Sequence, residues 1–127
     1  MATKVSMKDL PADTEYEPGF QFHHCITDET TGTTQGTSSR SHFPPGSKSR
    51  PHYYTNADMA FYCISGKTIF YVGKERKEYV VEAGDFFYVP RGEIHSNVNP
   101  SSTETTEGVV AYFGCSHPLK AGKVIIK

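Results

Sequence analysis

From residue 19 onward, apolar and polar positions fall in short alternating runs and not in helical stripes. Seven runs rich in β-branched and aromatic residues stand out: Phe20 to Ile26, Thr37 to Phe43, Ala60 to Ile64, Thr68 to Val72, Glu78 to Glu82, Phe86 to Val89 and Val109 to Phe113. Turn chemistry separates them, at Thr31-Gly32, Pro45-Gly46, Ser65-Gly66, Gly73-Lys74, Ala83-Gly84, Arg91-Gly92 and Asn99-Pro100. No window of about 11 residues keeps an apolar stripe at i, i+3, i+4 and i+7 free of Gly or Pro, so the helix content is predicted to be close to nil. In the second half the punctuation recurs every 8–12 residues or so, the spacing of an all-β sandwich or barrel. Thr27 to Thr37 and Pro100 to Glu107 are Thr/Ser-rich and read as long, mobile loops. Residues 1–18 read as an N-terminal arm or edge strand, and residues 19–127 as one β domain.

Composition narrows the function classes. With 127 residues the chain fits a single domain. Eight Tyr, eight Phe and no Trp mean a core that leans on aromatic and β-branched side chains. Thirteen basic against 14 acidic residues leave no concentrated basic face, which argues against a nucleic-acid partner. The longest apolar runs, such as Val109 to Phe113, are far too short to span a membrane. Cys25, Cys63 and Cys115 are odd in number and lack C-x-x-C spacing, and residues 1–10 hold no apolar stretch. A cytoplasmic address with reduced thiols is therefore expected. A small all-β chain must also protect its sheet edges, so a homodimer is expected.

Two stretches carry chemistry. The first runs from Gly46 through Arg50, His52, Tyr54, Asp58 and Met59 to Gly66; the second runs from Gly84 through Pro90, Gly92 and His95 to Asn99. Together they resemble the paired motifs of the cupin superfamily, small jelly-roll barrels. The second motif, G(X)5PXG(X)2H(X)3N, is met at every defined position, by Gly84, Pro90, Gly92, His95 and Asn99. The first, G(X)5HXH(X)3–4E(X)6G, is met at Gly46, His52 and Gly66 only. The resemblance spans Thr37 to about Phe113 and implies a single-domain cupin-like β-barrel, all-β, of jelly-roll type.

Strand parity puts Arg50, His52 and Tyr54 on one face, and His95, Asn97 and Asn99 on one face of another strand. The resemblance turns both faces inward and brings His52 and His95 together from different strands. Typical metal-binding cupins use two His and a Glu from the first motif and a His from the second. Here Tyr54 stands at the second His position, and the six-residue spacing to Gly66 puts Met59 at the Glu position. An alternative register offers Asp58 instead. The resemblance thus implies a small-molecule enzyme, of isomerase, lyase, decarboxylase or oxygenase type, working in the barrel pocket. His52, Tyr54 and His95 are the expected acid–base groups, and Arg50, Met59, Phe61 and Asn97 are the expected substrate contacts. Two cofactor readings stand side by side: one divalent Zn, Ni or Fe on His52 and His95, completed by Tyr54 or Asp58, or a metal-free pocket. A non-catalytic cupin that binds or senses a small ligand is the alternative from another class. Cys63, inward by parity with Met59 and Phe61, reads as a buried small hydrophobe.

Overall fold

The sequence of the second β run, Gly-Thr-Ser-Ser-Arg-Ser-His-Phe, shows how the alternation works. Thr37, Ser39, Ser41 and Phe43 are buried, whereas Ser38, Arg40 and His42 between them face outward. In the computed structural model, which describes residues 1–127, ten strands form in this way. They are β1 (Gln21–Ile26), β2 (Gly36–Phe43), β3 (His52–Tyr54), β4 (Asp58–Ser65), β5 (Lys67–Val72), β6 (Lys77–Glu82), β7 (Phe86–Val89), β8 (His95–Val98), β9 (Thr106–Phe113) and β10 (Lys123–Ile125). All pairings are antiparallel, giving two five-stranded sheets in the orders β1-β2-β9-β4-β7 and β10-β3-β8-β5-β6. This is the all-β jelly-roll architecture that the sequence predicts. Helix is confined to two single 3₁₀ turns, Met7–Asp9 and Pro118–Lys120. No helix is long and apolar enough to cross a membrane.

The core lies between the sheets and is built on a run of packed aromatic rings. Phe20 and Phe43 lie 4.2 Å apart, Phe43 and Phe61 5.7 Å, and Phe61 and Phe70 5.7 Å, between ring centroids. Cys63 is fully buried beside them, its thiol pushed up from the usual range by burial, and none of the three cysteines is paired. Two glycines of the sequence are explained by close approach. Gly66 turns β4 into β5 at φ +78°, and a Cβ there would meet the Thr106 hydroxyl at 2.8 Å. Gly108, opposite Cys63 in β9, leaves the room that the Phe61 ring fills.

Three expectations need revision. The Thr/Ser loops hold their own backbone: the Thr30 hydroxyl donates to the Cys25 carbonyl at 2.8 Å, and the Asn99 amide donates to the Phe43 and Glu104 carbonyls, both at 2.8 Å. Asn99 is fully buried and spends its amide on pinning a loop. The short β10 was missed because Gly122 precedes it and its few residues show no alternation against the tail. The folded unit also begins upstream of residue 19. Asp13 bridges Phe22, its carboxylate accepts from the Glu15 and Tyr16 amides and from His24, and Tyr16 and Glu17 are folded inward. These contacts are polar and irregular, so hydrophobic patterning carries no trace of them.

Substituting Gly108→Ala tests the packing directly, because its Cβ would lie 2.3 Å from the Phe61 ring. Overpacking should cost about 1–3 kcal/mol while the fold is retained. A urea midpoint equal to that of the wild type would show that the Phe61 ring is free to move aside.

Candidate active site

Strands β3 and β8 pair at one position, His52 opposite His95, and that register places the imidazoles side by side. Their ring centroids are 4.4 Å apart and both residues are buried. Each ring is oriented by its own strand: His52 Nδ1 donates to the Arg50 carbonyl at 2.6 Å, and His95 Nδ1 donates to the Glu93 carbonyl at 3.0 Å. These bonds assign the proton of each neutral ring to Nδ1 and leave the Nε2 lone pair as the acceptor. His52 Nε2 is met by the Tyr54 hydroxyl at 3.1 Å. His95 Nε2 has no hydrogen-bond partner.

Tyr54 begins a chain of phenols. Its oxygen lies 2.9 Å from the Tyr112 hydroxyl, which lies 3.0 Å from the Tyr16 hydroxyl; Tyr16 in turn reaches the Pro118 carbonyl at 3.4 Å. With Tyr54 donating to His52, Tyr112 donates to Tyr54 and Tyr16 to Tyr112, which spends all three phenol protons and leaves none for the more distant Pro118 carbonyl. The cavity that these groups share is walled by Phe20, Phe22, Phe43, Phe61 and Phe70 and contains about 40 Å³ of free space. Its mouth carries charge. Glu17, 3% exposed at its side chain, accepts from Arg50 Nε at 3.0 Å and from Lys123 Nζ at 2.5 Å.

Of the residues singled out in the sequence, His52, Tyr54, His95, Met59, Phe61 and Asn97 line this one cavity. Asn97 is committed to its neighbours, donating to Thr68 Oγ1 at 3.0 Å and accepting from Ser49 Oγ at 3.2 Å. Arg50 is not brought in; its half-exposed guanidinium is turned onto Glu17. Asp58 is not brought in either. It holds the Arg91 amide at 2.9 Å and the Arg91 guanidinium at 3.3 Å outside the cavity, while Met59 next to it points inward. Sequence reading missed Tyr16, Glu17 and Lys123 because they come from the chain ends, outside both motifs. Tyr112 lies outside both motifs as well, and only its partner across the sandwich, Tyr54, reveals a polar role.

Residues 39–112, more than half of the chain, match the family model for the cupin domain. The chain is a cupin. No curated protein matches its sequence significantly. Among solved structures, the polyketide cyclase RemF from Streptomyces resistomycificus superposes with a TM-score of 0.81 at 20% identity, covering 100% of this chain and 87% of that one. KdgF from Halomonas sp. gives 0.73 at 16% identity, over 90% and 94% of the two chains. A predicted oxalate decarboxylase from Thermotoga maritima gives 0.74 at 20% identity, over 87% and 98%. At these identities the likeness speaks for the fold.

Electrostatically this cupin keeps its pocket neutral. Burial, then the neighbouring His95, drives His52 down to about 3. Burial also lowers His95, with Lys123 adding to the effect. Burial raises Tyr16 to about 12 and pushes Tyr54 and Tyr112 well above the usual phenol range. The pocket does not fit the four-ligand cupin metal centre. It offers two neutral nitrogens, one already taken by a phenol that stays protonated; a thioether replaces the carboxylate, and Glu17 is held by two cations. Elsewhere, Asp28, Glu29 and His117 bring one ligand atom each to within 4.8 Å of one another, a candidate three-ligand place for a divalent ion. There His117 Nε2 pairs with Glu29 at 2.9 Å and Nδ1 accepts from the Leu119 amide at 3.1 Å, so ligation would cost one of these bonds.

Proton NMR of the ring Hε1 signals should show both cavity histidines neutral at pH values where a free imidazole, near 6.5, is half protonated. The unfolded chain takes up protons below that pH that folded His52 refuses until about pH 3. Stability should therefore fall as pH drops through this window, and His52→Gln should flatten that slope. A His52 signal titrating near 6.5 would mean that the cavity is wet.

Proposed function

We propose that the cavity is a site of proton transfer on a small organic molecule, in an isomerase-, lyase- or decarboxylase-type step. The observation that carries this reading is the unpartnered Nε2 of buried His95, whose ring lies 5.5 Å from that of Tyr54 between centroids. His95 acts as the base, because its lone pair faces the cavity and its Nδ1 proton is anchored on a carbonyl. Tyr54 acts as the acid or oxyanion donor, its one proton turning from His52 Nε2 to the substrate oxygen. An aromatic enclosure keeps water out and strengthens each of these interactions. Met59, Phe61 and Asn97 shape the space for the substrate. RemF, a polyketide cyclase by name, shares the fold, which supports enolisable carbonyl compounds as the first class to test.

Deuterium exchange at carbon provides that test. In D₂O the protein should speed the loss of α-protons from small ketones and keto acids, followed by NMR. His95→Gln and Tyr54→Phe should each lose roughly 10²–10⁴-fold of the acceleration. A wild-type protein that accelerates no exchange across the panel would remove the acid–base reading. The restricted free space favours a second reading, a pocket that binds a small ligand without turning it over. On that reading Tyr54→Phe weakens binding and there is no rate to lose.

Cytoplasmic residence is part of the proposal, supported by three unpaired thiols. So is a homodimer. Edge strand β7 presents Phe86 and Tyr88, 79% and 57% exposed, beside Phe113 on the outer face of its sheet. Burying such rings against a second copy is the simplest way to cover them. Light scattering at micromolar concentration should give twice the 14.1 kDa monomer mass, and Phe86→Glu should return it to the monomer.

A further inference from the structure

The cavity mouth holds an unequal set of charges. Glu17 is the one carboxylate there, and it is shared by two cations, Arg50 and Lys123. Of the two further acids in the groove beside Lys123, Asp13 is committed to His24 and to the Glu15 and Tyr16 amides, and Glu15 is exposed. Two cations thus share one buried carboxylate; Arg50 is half-exposed and served by water, so Lys123, 13% exposed, is the cation that burial penalises.

That charge is placed for a purpose. Lys123 stands directly opposite Tyr54 in the β10–β3 register, and its side chain, 13% exposed, lines the same cavity as His95. Cross-strand partners keep their Cβ atoms about 5 Å apart, so an anion on the ammonium lies beside the phenol. Of the three Nζ protons, one goes to Glu17 and one to the Tyr16 carbonyl at 3.0 Å; the ammonium also lies over the Tyr16 ring, 4.3 Å from its centroid, a weaker contact than a hydrogen bond to an anion. Glu17 is bound asymmetrically: its Oε2 takes the Arg50 amide and Nε, both at 3.0 Å, whereas its Oε1 takes Lys123. It can therefore release Lys123 and remain on Arg50.

We propose that the cavity takes a small carboxylate, anchored at the mouth by the Lys123 ammonium in competition with the chain's own Glu17. This rests on the cavity being a ligand site, as proposed above, and adds the charge and size of what enters. The free space limits the occupant to a few heavy atoms. The carboxylate takes the Nζ proton that lies over the Tyr16 ring and the one that Glu17 gives up, which leaves its remaining atoms between Tyr54 and His95. Arg50, expected from the sequence to be a substrate contact, serves instead to hold Glu17 aside.

The His95 Hε1 resonance is the reporter, and acetate and acetamide, equal in shape and different in charge, are the probes. Acetate should move the signal saturably, and acetamide should not at the same concentrations. Lys123→Met should weaken acetate about 10-fold, the effect of one unit charge in a partly screened site. Glu17→Gln should tighten it several-fold, a gain that misfolding cannot imitate. Acetamide moving His95 as far as acetate, or Glu17→Gln leaving acetate affinity unchanged, would overturn the carboxylate assignment and leave the cavity a ligand site. No movement with either probe would overturn both.

Discussion

One antiparallel register, His52 opposite His95, holds the chemistry of this cupin together. A slip of one residue in either short strand would turn that strand's imidazole to the outside and separate the pair, because side chains alternate with a period of two. The register is protected on both flanks. β3 is held by β10 on one side, and β8 by four residue pairs with β5 on the other. The backbone carbonyls that orient the two rings belong to the same strand entries, so the pairing fixes ring position and tautomer together.

The interior is polar where an ordinary sandwich core would be oily, and the polar groups are stacked in a line. Three phenols and an imidazole satisfy one another across two strands, β3 and β9, and the N-terminal segment. Buried hydroxyls are costly when alone and nearly neutral when each has a partner. The line leaves one group out, His95 Nε2, and an unmet acceptor at the centre of a satisfied network is where a ligand gains most by binding. The same burial that raises the phenols lowers the imidazoles, so the pocket holds its protons firmly on oxygen and its lone pairs on nitrogen.

Much of this was legible in the sequence. The strands follow from alternation and from Gly and Pro punctuation, and the Gly84-to-Asn99 motif located the strand carrying His95. Counting back from Gly66 puts Met59 at the Glu position and leaves Asp58 as the alternative; the fold turns Met59 inward and Arg91 holds Asp58 outside. What could not be read were contacts that depend on the ends of the chain. Tyr16, Glu17 and Lys123 sit in segments without periodicity, and only the closed sandwich brings them to the cavity. Arg50 shows the limit of parity: its position in the sequence faces the pocket, but a buried carboxylate from 33 residues upstream captures its head group.

The mouth is thus stitched from the two ends of the polypeptide, with Glu17 and Lys123 separated by 106 residues. Contacts across so long a loop carry a large closure entropy. Glu17 and Lys123 therefore meet only once the strands between them have closed on one another, and the charged mouth is a property of the completed sandwich that no isolated part of the chain can show.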